Sequence, residues 1–189
     1  MENVNVKNLS SIDQYIFKLS LGDILRSTMF GTIIILINDI TRLPLSLPGH
    51  SSIFWMGVLV LGKGLLPRFG SGIIMGIVSG ILAVLLGLGK EGFFVFFKYF
   101  TPGLLIDFLA PMFYNKMDRP LVGIICGILI SLSKMVVNVA LGILLKLPMV
   151  FLTIGLGFTS VSHVIFGAAG GLIATIMIKR LKPRLSSWD

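Results

Sequence analysis

The stretch LVGIICGILISLSKMVVNVALGILL, from Leu121 to Leu145, decides the fold class. It carries a single charged residue, Lys134, among apolar and small side chains. A helix that crosses the hydrocarbon core of a bilayer needs about 20 mainly apolar residues. The stretch is long enough and apolar enough to meet this requirement. It therefore predicts a helix that spans a membrane.

The rest of the chain has the same character. Of its 189 residues, 55% are hydrophobic and 13% are charged, and the mean hydropathy is +0.98. Breaks at Gly, Pro and charge clusters divide it into six apolar segments. The predicted spans lie near Leu25 to Ile40, Ile53 to Leu66, Gly70 to Leu88, Phe93 to Phe113, Leu121 to Leu145 and Val150 to Ile178. We expect an all-α, polytopic six-helix bundle, with one integral membrane domain over residues 1–189.

The distribution of basic residues predicts the orientation. With six spans, most of the 16 lysines and arginines fall on the side of the two termini. These are Lys7, Lys18, Arg26, Lys63, Arg68, Lys116, Arg119, Lys179, Arg180, Lys182 and Arg184. Cytoplasmic loops carry an excess of Lys and Arg, so both termini are predicted to be cytoplasmic. Anionic lipid headgroups of the bilayer can account for the net charge of +8, so this charge does not indicate binding of a nucleic acid.

The segment RLPLSLPGHSSIFW, from Arg42 to Trp55, is predicted to lie outside the membrane between the first two spans. Prolines stiffen it, and it carries Arg42, His50 and Ser51. One interpretation is a gating loop that closes over an outward-facing pocket. The other is an ordinary solvated surface loop.

Ionisable residues inside predicted spans are costly, so each is a candidate for function. Lys134 and His163 are both expected near the middle of the membrane. Asp107 is predicted at a depth from which it could pair with Lys134. One interpretation is a structural ion pair that holds two helices of the bundle together. The other is that Asp107 and Lys134, with His163, line a cavity or form a polar relay.

Aromatic residues add to the candidate binding site. FFVFFKYF surrounds Lys98 with rings that form an interfacial belt or stack on a flat heterocyclic ligand. Lys134 and Asn138, four residues apart, share one helical face. The predicted substrate-binding residues are Trp55, Lys98, Lys134, Asn138, Thr159 and His163.

The sequence offers little for catalysis. Ser160 and His163 are three residues apart, but no acidic residue lies nearby to orient the imidazole. Two histidines and the lone Cys126 do not suggest a metal site, and no phosphate-binding loop of the ATPase type occurs. We therefore expect no catalytic residues, no metal and no cofactor. A membrane-embedded enzyme stays a third hypothesis, which would require Ser160 or His163 for turnover.

The first predicted helix carries small residues four apart, Ser27 and Gly31, in RSTMFG. They serve either packing within the bundle or docking of another membrane subunit. With six spans, both termini inside and the long first outer loop, the chain resembles the substrate-binding S component of an energy-coupling factor (ECF) transporter. These are vitamin importers of the ABC class. Their docking signature is Ala-x-x-x-Ala, and Ser27 and Gly31 stand at the matching positions.

The resemblance implies a transport function without enzymatic activity in this chain. It implies capture of a small vitamin in the outer half and docking onto a transmembrane coupling subunit with two ATPase subunits, in a prokaryotic plasma membrane. Thiamine or its hydroxymethylpyrimidine precursor is the favoured substrate. The alternative is a stand-alone carrier or channel that uses Asp107, Lys134 and His163 as a relay.

Overall fold

The computed structural model describes residues 19–41, 52–89, 91–113, 116–145 and 149–185, without the side chains of residues 52, 149–159, 184 and 185. Within these ranges the chain forms α-helices joined by turns. Their bounds are α1 Leu21–Ile40, α2 Ser52–Leu65, α3 Ser71–Leu85, α4 Val95–Met112, α5 Pro120–Leu144 and α6 Met149–Leu185. A short 3-10 turn, Gly92–Phe94, leads into α4.

Each predicted apolar segment coincides with one helix, although some ends differ. The helix α1 starts four residues earlier than predicted because Ser20 caps it. Ser20 Oγ accepts a hydrogen bond from the Gly22 amide at 3.3 Å, and the Asp23 carboxylate accepts one from the Ser20 amide at 3.0 Å. This reciprocal arrangement satisfies amides that the helix itself leaves without acceptors. At the other end of the chain, α6 continues past Ile178 because Lys, Arg and Leu favour a helix after it has left the apolar layer.

Four stretches of the described residues are helical, long and apolar enough to cross a membrane. They are Leu21–Ile40, Gly92–Met112, Pro120–Leu144 and Ser160–Pro183. Two further apolar helical stretches, Ile53–Leu65 and Ser71–Leu85, are shorter. The described chain is thus all-helical with four candidate membrane spans.

The short helix α2 is enclosed by protein. Trp55, Met56 and Val60 are at most 1% exposed, and α2 packs against α1 and α6. A helix surrounded by other helices does not need the length of a lipid-facing span, since protein covers its ends and sides. This position explains why the second apolar segment is the shortest.

Small residues allow close contacts between helices of the bundle. On α3, a Cβ atom added at Gly72 would lie 2.6 Å from the backbone oxygen of Gly103 on α4. At the contact of α5 with α6, Gly127 faces Gly167 and Gly171 so closely that no side chain fits between them. Both glycine-rich faces therefore pack against another helix within the bundle.

The pairing of Asp107 with Lys134 that the sequence allowed does not form, because Asp107 pairs with Lys63. At ~1.5 Å of rise per residue, Asp107 lies about 8 Å from the end of α4, whereas Lys134 lies about 21 Å from the start of α5. These two helix ends are joined by a short connection, so the two residues occupy different depths. Lys63, near the end of α2, reaches Asp107 instead, with 2.5 Å between Nζ and Oδ1.

Candidate functional site

A cavity of about 460 Å³ opens at the end of the bundle where α1 and α3 end and α4 begins. This is the end opposite the start of α1. Its lining comes from α1, the turn between α3 and α4, α4 itself and the second half of α5. The lining residues are Asn38, Gly87, Leu88, Gly89, Glu91, Val95, Lys98, Tyr99, Lys134 and Asn138. The volume falls within the range of about 300–1,000 Å³ that is typical of small-molecule sites.

The turn that forms one wall depends on glycine. Gly87 ends α3 with a φ of +62°, a conformation that other residues rarely adopt. The amide of the next residue, Leu88, then donates to the Ala83 carbonyl at 2.9 Å, which closes the helix end. Gly92 repeats the positive φ, at +58°. The chain can therefore reverse tightly between α3 and α4 and present Glu91 to the cavity.

Glu91 and Lys98 form an ion pair at the cavity. Lys98 Nζ donates to Glu91 Oε1 at 2.6 Å, and the side chains are 15% and 28% exposed, respectively. Partial burial strengthens such a pair relative to a fully solvated one. The two opposite charges therefore largely offset each other.

Lys134 contributes a second ammonium group, which lies against aromatic rings. Its Nζ is 4.2 Å from the ring centroid of Trp55 and 5.0 Å from that of Tyr99. The two rings meet edge to face, with 5.7 Å between their centroids. Ring faces carry partial negative charge and stabilise a cation at this distance. Trp55, which is 1% exposed, thus forms the buried support behind Lys134.

Two amides complete the polar lining. Asn38 Nδ2 donates to the Tyr99 hydroxyl at 2.6 Å and so fixes the position of that ring. Asn138 differs, because its buried Oδ1 accepts no hydrogen bond within the described structure. Trp55 Nε1, also buried, likewise donates none to a described residue. The two atoms therefore leave unused hydrogen-bonding capacity beside the cavity. Each unsatisfied atom costs about 1–3 kcal/mol of stability.

The structure brings together four of the predicted substrate-binding residues. Lys98, Lys134 and Asn138 line the cavity, and Trp55 lies directly behind Lys134. The side chain of Thr159 is outside the described residues, as are all three residues predicted for the gating loop. Those three are Arg42, His50 and Ser51.

His163 is not among the cavity-lining residues. Its Nδ1 shares a hydrogen bond of 2.8 Å with Ser131 Oγ, and both side chains are buried. Ser160 does not join this pair, since its hydroxyl donates to Met135 Sδ at 3.1 Å. The serine that pairs with His163 in the described structure is therefore Ser131 and not Ser160. No cluster of three His, Cys, Asp or Glu side chains occurs in the described ranges.

Ser27 and Gly31, for which the sequence left open packing within the bundle or docking of another subunit, lie inside the bundle. Ser27 is 0% exposed. Ser79 Oγ on α3 donates to the Gly31 carbonyl at 3.0 Å, and a Cβ atom at Gly31 would lie 2.9 Å from the Met75 oxygen. Spacing by four identified a contact face correctly, but the partner on that face is α3 of the same chain.

Sequence reasoning missed Asn38 and Glu91 as parts of the site. Asn38 carries a detectable signal, because it is an amide inside an apolar segment. Glu91 precedes α4 by one irregular turn, so no helical spacing relates it to Lys98. Tyr99 was recognised only as one aromatic residue in a row of several.

Comparison of the chain with protein-family models, curated proteins and solved structures gives no match. The function is therefore inferred from the cavity, its lining and the sequence features that accompany them.

Proposed function

We propose that the chain captures a small, water-soluble organic molecule in this cavity as the substrate-binding subunit of an ECF-type importer. The observation that carries the proposal is the polar cavity itself. It places two lysines, a glutamate and two asparagines at one end of the bundle. Pockets of this size with a few converging polar groups are the usual sites for small molecules.

The partners follow from the resemblance to the S components. A transmembrane coupling subunit and two ATPase subunits would supply the energy for uptake of a vitamin. The membrane would be the plasma membrane of a prokaryote, crossed several times by this chain. Because Ser27 and Gly31 are buried, the coupling subunit would contact a different surface unless the bundle rearranges.

Six spans with both termini in the cytoplasm form part of the same proposal. Arg68, on the turn between α2 and α3, pairs with Asp23 at the start of α1, with 2.5 Å between the charged atoms. Arg119, Lys179 and Lys182 are exposed in the part of the bundle near the α4–α5 turn and the end of α6. This end therefore carries the excess of positive charge. Lys63 does not contribute to it, as its charge is buried against Asp107.

The stand-alone carrier receives less support. Its relay required Asp107, Lys134 and His163 to act together, but they have different partners. Asp107 pairs with Lys63, Lys134 lies on aromatic rings, and His163 bonds Ser131. Asp107, which lies at a different depth from Lys134, has no direct contact with either of the other two groups in the described structure.

The test is uptake in proteoliposomes. The full chain would be reconstituted alone and together with the coupling subunit and ATPases of an ECF transporter, and native mass spectrometry would identify any small molecule that it retains. We expect retention of a ligand by the chain alone and uptake only with the complete complex and ATP. Uptake by the chain alone would instead establish a carrier.

A further inference from the structure

The two asparagines that line the cavity differ in how their amides are used. Asn38 Nδ2 donates to the Tyr99 hydroxyl at 2.6 Å, so this amide is engaged within the bundle. Asn138 also lines the cavity, but its buried Oδ1 accepts no hydrogen bond from any residue in the described ranges. The Asn138 oxygen is therefore available to a molecule bound in the cavity.

The side chains near Asn138 leave its oxygen without a donor. Lys134, one turn earlier on the same face of α5, holds its ammonium over the rings of Trp55 and Tyr99, at 4.2 Å and 5.0 Å from their centroids. It does not donate to Asn138 Oδ1 in the described structure. Trp55 Nε1 is a buried donor that likewise finds no acceptor there. An acceptor and a donor thus both stay unmatched beside the cavity.

Burial makes the unmatched oxygen of Asn138 selective. A site that is built to bond an N–H or O–H group rejects an analogue that lacks this group, because the buried atom of the protein then stays unpaired. The side-chain amide also carries N–H donors next to its oxygen. A ligand edge with a donor next to an acceptor can therefore satisfy both parts of the amide, as the edge of adenine does when it pairs with Asn or Gln.

We propose that the captured molecule presents an amide-type edge, an N–H group next to a carbonyl or ring-nitrogen acceptor, to the side chain of Asn138. Carboxamides, lactams and aminopyrimidines belong to this class, whereas esters, lactones and simple carboxylates do not. The class is defined by the edge and not by the net charge of the molecule. This inference rests on the proposed capture function and narrows its substrate class. The hydroxymethylpyrimidine precursor of thiamine, an aminopyrimidine, falls within it.

The test compares molecules that differ in this donor. The first pair is hydroxymethylpyrimidine and the analogue in which a methoxy group replaces its amino group. The second is nicotinamide and methyl nicotinate, and the third is valerolactam and valerolactone. In each pair, an oxygen takes the place of the N–H nitrogen with little change in shape. Affinities for the full chain, purified in mild detergent, would be measured by isothermal titration.

We expect at least one N–H member to bind, and to bind at least about tenfold more tightly than its partner. Asn138→Leu should make the affinities of the two members equal, because neither then finds an acceptor. Asn138→Asp keeps an acceptor oxygen in a side chain of the same shape, so it should keep the preference. It also keeps the test valid if Asn138→Leu does not fold. Ser131→Ala, which removes the bond to His163 on the same helix, should keep the preference as well.

The outcomes separate this inference from the capture function. Equal binding of the two members, or a preference that survives Asn138→Leu or is lost in Asn138→Asp, would overturn the amide-type edge and leave capture intact. If no probe binds, the molecule that native mass spectrometry finds on the chain decides. A retained molecule without an N–H group next to an acceptor overturns the inference alone, and one with this edge that loses affinity in Asn138→Leu supports it. A chain that retains nothing and binds no probe overturns both proposals.

Discussion

Lys63 and Asp107 join three helices through a fully buried ion pair. Lys63 Nζ donates to Asp107 Oδ1 at 2.5 Å, and the side chains are 1% and 0% exposed, respectively. The same carboxylate accepts hydrogen bonds from the amides of Gly70, Gly72 and Ile73, at 3.1, 3.1 and 2.7 Å. Asp107 on α4 thus caps the start of α3 while it holds the end of α2. Every polar group in such an arrangement depends on the others, because water cannot replace a lost partner.

Replacement of one partner of this pair should destabilise the bundle strongly. In Asp107→Asn, the Lys63 ammonium loses its counter-charge while buried, so we expect a loss of about 3–5 kcal/mol. The measurement is the thermal unfolding midpoint in detergent. The control is Arg68→Gln, which removes a partly exposed ion pair with Asp23 and should cost about 1 kcal/mol or less. Equal losses in the two variants would show that the buried pair has no special role.

The contact of α5 with α6 should tolerate no added methyl group. A Cβ atom in Gly127→Ala would overlap the Gly167 carbonyl oxygen, so either the helices separate or the backbone shifts. We expect a loss of about 1–3 kcal/mol, typical of overpacking. Gly22→Ala is the matched control, because its nearest neighbour, Ser20 Oγ, would be 3.8 Å away. If Gly127→Ala unfolds at the same temperature as this control, the contact is looser than described.

The sequence predicted helix positions well because each helix is a continuous apolar run. It also placed Lys98, Lys134 and Asn138 among the residues of one binding site, and all three line the cavity. The sequence did not give the partner of Asp107, because the depth counted along the helices put Asp107 within reach of Lys134. It also failed where the path of a turn decides which residues meet. Asp107 could not be matched to Lys63 without knowing how α2 lies beside α4. The face that carries Ser27 and Gly31 was recognisable, but not the helix that covers it.

Large residues at Ser27 and Gly31 should impair folding. Ser27→Leu and Gly31→Leu each insert a bulky side chain between α1 and α3, where Ser79 already bonds the Gly31 carbonyl. We expect low yields of folded protein and lower unfolding temperatures, measured after purification in detergent. Met29→Leu, at a position that is 58% exposed on the same helix, should fold normally. If both variants fold normally but lose coupled uptake, Ser27 and Gly31 instead contact the coupling subunit.

Replacement of Asn138 should change ligand affinity without lowering the stability of the fold. Its buried Oδ1 accepts no bond in the described structure, so Asn138→Leu removes an unsatisfied polar atom and should leave stability unchanged or higher by about 1–3 kcal/mol. A ligand that donates to this atom would lose its acceptor, and we expect the small molecule retained by the chain to bind about tenfold more weakly, measured by isothermal titration.

Ser131→Ala is the matched control on the same helix, with the opposite expected result. It removes the 2.8 Å hydrogen bond to buried His163, away from the cavity lining, so it should lower the unfolding temperature and leave affinity unchanged. A structural role for Asn138 would make the two variants behave alike, with stability falling in both. Opposite effects on stability and affinity would therefore place ligand recognition at Asn138, because a general loosening of α5 would change both quantities together.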